Sequence, residues 1–205
     1  LPWIWQANAL IMVRSWQYVG GLVTSQALTV IWLSVFFRDM SVMEESKLAA
    51  LERQRDRLLA QKTIFLTARG ESDQPEMGVT PFIRHGDALF IYPSRLSAHV
   101  RAVLERGQGQ FLLIEDEQAA QNIWARVRLK FDADIDQIAR QDALFATLCD
   151  VFAAAYGPTM GLIRDFTDFH MLRLRPRSGV LVTGFARAYR VEGADFTIAE
   201  HLKNS

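Results

Sequence analysis

The chain has 205 residues, half of them hydrophobic, which is enough for one domain with a sizeable core. Its 23 basic and 23 acidic residues cancel to a formal net charge of zero, so nothing in the totals points to a nucleic-acid partner. The single cysteine, Cys149, excludes a disulfide within the chain and permits a reducing compartment, and its apolar neighbourhood fits a buried inert thiol.

Residues 1–43 read differently from the rest. Four of the five tryptophans (Trp3, Trp5, Trp16 and Trp32) fall there, and the charges are Arg14, Arg38 and Asp39. Residues 15–37 are uncharged, a stretch long enough to span a bilayer, for which about 20 apolar residues suffice. Gln17, Gly20, Gly21, Thr24, Ser25 and Gln26 interrupt it. Three readings stand: upstream sequence translated in frame ahead of a start at Met40 or Met43, a membrane anchor, or an ordered soluble extension. A signal peptide fits poorly, because no basic start leads to a small-residue cleavage site. The domain that carries chemistry is expected over 44–205.

Residues 44–61 read as a helix. Ser41 can cap it, Glu44 and Glu45 suit its positive end, and Leu48, Leu51, Leu58 and Leu59 give a partial docking face. Strands are expected at 63–67, 78–83 and 88–92, with 70–75 a polar turn and His85-Gly86-Asp87 a tight connection. Residues 94–106 read as a helix with Leu96, Val100, Val103 and Leu104 inward. Next come a buried strand at 111–114 and another at 125–131, with Arg126, Arg128 and Lys130 on one alternating face. Residues 134–156 are apolar at helical period and predict two consecutive helices, ended by Gly157-Pro158. Last is a hairpin: strand 168–175, turn tetrad Pro176-Arg177-Ser178-Gly179, strand 180–191. Strands interrupted by helices, without regular βαβ alternation, predict an α+β barrel rather than a doubly wound sheet.

Nucleophilic catalysis finds little here. There is no Gly-x-Ser-x-Gly elbow, no zinc spacing and no glycine-rich phosphate loop, and the histidines at 85, 99, 170 and 201 are scattered. Guanidinium on strands stands out instead: Arg126, Arg128, Arg173, Arg175, Arg187 and Arg190. Such forks suit the phosphate of a flavin mononucleotide or the propionates of a haem. The plainer alternative is the wet face of a half-exposed sheet, and Lys130, Arg140 and Arg177 are read as solvated surface.

Several blocks stand in a telling order: Thr80-Pro81-Phe82, Ser94 to His99, Leu112 to Glu117, Trp124-Ala125-Arg126-Val127-Arg128, and Gly157 before Arg164. The final hairpin carries Asp168-Phe169, Met171-Leu172-Arg173-Leu174, Pro176, Gly179, Val182, Gly184-Phe185 and Ala188-Tyr189. Together, over about 44–200, they resemble the haem-utilisation proteins of the HugZ/HutZ type, within the pyridoxamine-phosphate-oxidase-like class. Two departures are Ala186, where the family block reads Gly-Phe-Gly, and the loop at 107–110.

The resemblance implies an α+β split β-barrel of the FMN-binding kind with flanking helices, and a homodimer holding its ligand between two barrels. The implied activity is haem binding with oxidative haem degradation for iron acquisition in the cytoplasm, served by an unidentified electron donor. Two alternatives stay open: an FMN-dependent oxidoreductase using the same arginines, and a haem carrier without turnover. By the same resemblance, His99 matches the histidine of the Ser-x-Leu-x-x-His block, and Arg128, with Arg126 as alternative, the basic position after Trp-Ala-Arg. Arg164 matches the haem-contacting arginine, and Asp168 the aspartate that tunes the axial imidazole. His201, in the tail, is the candidate axial ligand to iron; an alternative alignment puts the family's histidine beyond Ser205. Arg128 and Arg164 would then face the propionates or the oxygen side of the iron.

Overall fold

The computed structural model of the chain describes residues 25–202, with side chains from residue 42 onward. Two compact units divide it, Leu1–Lys47 and Leu48–Ser205. The described part of the first is helical, within α1 (Ser25–Leu59). The reading of 15–37 as a span falls mainly outside the described residues; among those described, no helix is long and apolar enough to cross a membrane.

The second unit is built on strands β1 (Thr63–Arg69), β2 (Pro75–His85), β3 (Ala88–Ile91), β4 (Gln108–Ile114), β5 (Arg128–Ile138), β6 (Met171–Gly184), β7 (Arg187–Glu192) and β8 (Thr197–Leu202). Helix α2 (Ala98–Arg106) follows β3, while α3 (Ala143–Tyr156) and α4 (Thr159–Ile163) lie between β5 and β6. The sheet order is β3-β2-β1-β4-β5-β6-β7-β8, all antiparallel, and β3 also pairs with β6. That extra pairing closes six strands into a barrel and leaves β7 and β8 as a two-strand extension. Closure removes the edges of the six barrel strands and leaves β8 as the open edge of the extension. The split-barrel expectation holds.

Alternation along the strands fills the barrel. Ile64, Leu66, Leu113, Leu129, Leu174 and Leu181 are fully buried, and Phe131 stacks on Phe111 at 5.6 Å and meets Phe196 edge-on at 5.0 Å. A second cluster sits under α3, where Phe145, Leu148, Cys149 and Phe152 pack on Tyr92, Met160 and Met171. Burial pushes the Cys149 thiol pKa up, as expected of an inert thiol.

Four element expectations need correction. First, the tetrad Pro176–Gly179 is not a turn: β6 runs straight through it for 14 residues, and the chain reverses at 185–186, where Ala186 takes φ 54°. Gly179 is there because Lys130 O and the Phe131 ring fill the space a Cβ would need. Second, 134–138 is strand, not helix; β5 extends to Ile138 with Asp134 opposite Arg175 and Asp136 opposite Arg173. Third, Arg126 is not on a strand but ends a short 3-10 turn over Ile123–Ala125, so it does not alternate with Arg128 and Lys130. Fourth, α2 starts at Ala98, and Leu96 before it is 81% exposed rather than inward.

Candidate functional site

Most of the strand arginines already have partners. Arg173 grips Asp136 with Nε at 3.2 Å and Nη2 at 2.7 Å, and Arg175 reaches the same carboxylate at 2.9 Å. Arg177 pairs with Asp134 at 3.3 Å and Arg190 with Glu200 at 2.5 Å. These are cross-strand ion pairs set by the β5–β6 and β7–β8 registers. Arg126 is turned inward on its own loop, donating to the Glu115 carbonyl and pairing with Glu117 at 3.1 Å. Among the described residues of the six-arginine set, Arg128 and Arg187 form no ion pair.

Arg128 is the better placed of the two. Its Nη1 donates to the Arg126 carbonyl at 3.1 Å, and nothing else in the described chain holds it. In register it stands beside Ile114 on β4 and Val182 on β6, and Val182 stands beside Ala188 on β7. This row alternates with the buried Leu129 and Leu181, so it lies on the outward face of the sheet. A flat apolar bed with one uncommitted guanidinium is the result.

The same face carries a second apolar row: Val79 opposite Phe65, Phe65 opposite Leu112, and Leu112 opposite Lys130. Val79 is 57% exposed and Phe65 39%, with Met77 nearby at 68%.

His99 is buried on α2. Its ring lies flat on Gly78 of β2, where any Cβ would overlap it, so glycine is required at that point. Its Nε2 is buried without a hydrogen-bond partner, and burial lowers the imidazole pKa, with Glu76 opposing. The ring borders a cavity of about 280 Å3 lined by Thr80, Pro81, Tyr92, Phe152 and Phe169. That falls short of the roughly 300–1,000 Å3 that encloses a drug-sized ligand, so a macrocycle would need surface from outside this cleft.

Asp168 lies at the entrance to β6. Its carboxylate accepts from Ser94 Oγ at 2.5 Å, and its carbonyl accepts from Arg95 N at 2.7 Å. Phe169 bridges to Ser94, and His170 N donates to Pro93 O at 3.0 Å, so the segment is stitched to the end of β3. Arg164 caps α4 and points toward Asp150 at 3.6 Å.

His201 is on β8, opposite Tyr189, with ring centroids 4.9 Å apart. Its Nε2 is 3.1 Å from the Ala186 carbonyl. A carbonyl can only accept, so in this contact Nε2 is the donor. Within one chain the structure brings Asp168, Ser94 and the His99 cleft to one end of the barrel. It does not bring His201 to Asp168: Tyr189 is opposite Leu181, ten residues along β6 from Met171, which is on the order of 30 Å at strand rise.

Arg140, read as solvated surface from the sequence, is heavily engaged. It donates to the carbonyls of Arg164, Phe166 and Phe169 and to the Tyr92 hydroxyl. No sequence pattern flags such a residue, because its partners are carbonyls 24 to 29 positions away and one hydroxyl 48 positions away.

A closed antiparallel barrel extended by two strands places the molecule among the split-barrel proteins, and two solved structures show the likeness. The structure of HutZ from Vibrio cholerae, described as a haem storage protein, matches with a TM-score of 0.60 at 26% identity, over 65% of this chain and 94% of that one. ChuZ of Campylobacter jejuni matches in fold with a TM-score of 0.64 at 23% identity, over 77% of this chain and 68% of that one. No protein-family model matches the chain. In sequence it is 30% identical to the haem oxygenase HutZ of Vibrio cholerae over 142 residues, which is 69% of this chain and 81% of that protein. The chain belongs to the HutZ family of split-barrel proteins.

Proposed function

We propose that this chain binds haem and degrades it oxidatively to release iron in the cytoplasm, working as a homodimer with an electron donor yet to be identified. The observation that carries the reading is the outward face of β4 to β7. Ile114, Val182 and Ala188 offer an apolar plane, and Arg128 offers a guanidinium without a carboxylate partner. Haem is a flat apolar ring with two carboxylates at one edge, and this surface complements both parts. The haem-related names of HutZ and its structure support the same ligand.

The same face supports the homodimer. Phe65, Met77 and Val79 are exposed together on an open sheet surface, and a contiguous apolar patch of this kind favours a covering partner. A second copy would turn the shallow surface into an enclosed site. It would also allow Asp168 of one chain to approach His201 of the other, which one chain alone does not achieve. In that arrangement one ring nitrogen of His201 would bind the iron and Asp168 would accept from the N–H of the other in place of the Ala186 carbonyl, while Arg128 and Arg164 would hold the propionate edge. Arg126, tied to Glu115 and Glu117, holds the Arg128 guanidinium through its carbonyl, and His99 lines the cleft behind Asp168. Haem, as substrate, brings its own redox iron; the chain's task is to bind, orient and shield it.

A titration of the purified chain with haemin tests the reading. A Soret shift saturating at one haem per chain, abolished in His201→Ala, is expected, as is loss of the band with iron release when reductant and air are supplied. A flavin spectrum with no saturable Soret response would overturn it in favour of an FMN-dependent oxidoreductase. A saturable shift with no reductant-dependent loss would leave a haem carrier, the reading nearer to the storage role given for the HutZ structure.

A further inference from the structure

Arg140 lies in the short link between β5 and α3, and its guanidinium reaches across to a different part of the chain. Nη1 donates to the Arg164 carbonyl at 2.7 Å. Nη2 shares its two protons among the Phe166 carbonyl, the Phe169 carbonyl at 3.2 Å and the Tyr92 hydroxyl at 3.2 Å. The Tyr92 hydroxyl in turn donates to the Arg164 carbonyl at 2.8 Å. Behind this fork, the Phe145 ring sits 5.2 Å from Cζ.

The segment so gripped, 164–169, runs from the end of α4 to the start of β6 and has little backbone structure of its own. Phe166 N and Phe169 N make two short-range turn bonds, at 3.0 and 3.3 Å. Carbonyls at a helix end and in such a linker need external donors, and a planar fork with five N–H groups can serve several at once. On its other side the segment is held by Ser94 and Arg95 through Asp168. The two grips converge on one outcome, a fixed place for the Asp168 carboxylate and for the Arg164 side chain.

We propose that Arg140 is a positioning residue for this site: by clamping the carbonyls of 164–169 it sets where Asp168 and Arg164 present their side chains to the ligand. The inference rests on the haem reading above. A lysine at 140 keeps the charge but loses the fork, so it replaces the clamp only in part.

Hydrogen exchange on the full chain without haem gives the first test. In Arg140→Gln, amides of 164–170 are expected to exchange about tenfold faster while the barrel strands stay unchanged, with Arg140→Lys intermediate. Arg177→Gln, which loses a half-exposed ion pair elsewhere, should leave these amides as they are. The second test is a haemin titration of Arg140→Gln, Asp168→Asn, Arg164→Gln and the double variants that pair Arg140→Gln with each. Arg140→Gln alone should weaken haemin binding about tenfold, and most of that loss should vanish in the Asp168→Asn background, because the clamp then has no carboxylate to place. A loss fully additive with both Asp168→Asn and Arg164→Gln would mean that Arg140 acts on stability alone and would overturn the role. Unchanged exchange and affinity in Arg140→Gln, in a parent chain that binds haemin, would overturn it too. A parent chain with no saturable Soret shift would sink the haem reading and this role with it, even where exchange loosens.

Discussion

At the scale of the residue, the site is defined by which polar groups are already spoken for. Arg173, Arg175, Arg177 and Arg190 are neutralised by carboxylates across the strands, whereas Arg128 keeps its fork for something outside the chain. His99 is the opposite case, a buried imidazole whose Nε2 has no partner and whose pKa is lowered by burial. His170 is shifted the same way, by burial first and then by Arg95 and Arg140. Both rings favour the neutral form in the folded chain more than in the unfolded one, where they protonate near the ordinary value of about 6.5. The unfolded chain therefore binds more protons below that pH, so stability falls as pH drops from about 6.5 toward the folded-state values. Urea midpoints measured across pH 5 to 8 should show this loss, and His99→Phe should flatten it. A slope in His99→Phe as steep as in the parent chain would exclude His99 as a source.

At the scale of the element, local signals and long-range partners disagree in two instructive places. Pro176-Arg177-Ser178-Gly179 has turn chemistry by every local criterion, yet β6 passes through it because eleven residues of β5 are paired along its length, with a bulge at Asp132/Ala133 absorbing the misfit. Gly179 is needed not for a turn but for the neighbouring Phe131 ring and Lys130 carbonyl. Gly179→Ala should therefore destabilise the chain by about 1–3 kcal/mol, read from chemical denaturation. A turn glycine relaxed by flexible surroundings would give a far smaller loss, and that result would contradict the strand reading. Residues 134–138 mislead similarly: Ile135 and Ile138 have helical spacing, and the alternation of Asp134 and Asp136 gains meaning only once Arg175 and Arg173 are seen opposite them. The barrel was legible because most of its strands are written in contiguous blocks. The role of Arg140 was not, since a guanidinium serving distant carbonyls leaves no side-chain pattern to read.

At the scale of the whole molecule, the proposed function asks one surface to serve both a second copy and a haem. Val79, Phe65, Leu112 and Lys130 stand in register across β2, β1, β4 and β5, and Arg128 is two residues from Lys130 on the same outward face. A partner seated on the first row would wall the apolar bed around Arg128, so association and ligand binding should be linked rather than independent. Linkage works in both directions: a haem held by both copies must tighten the dimer by the same factor that dimerisation tightens haem. Two charges of one sign, Phe65→Glu with Val79→Glu, place like charges on facing copies and leave the barrel interior untouched, since both side chains point outward. Sedimentation should show the parent chain as a dimer and the double variant as a monomer that still unfolds in a single cooperative urea transition, at a midpoint lowered only by the lost association. Haemin affinity should fall when dimerisation is lost, and adding haemin should drive part of the variant back to the dimer at high protein concentration. A monomeric variant that binds haemin as tightly as the parent would show that each barrel holds its ligand alone, and the shared-site reading would be wrong.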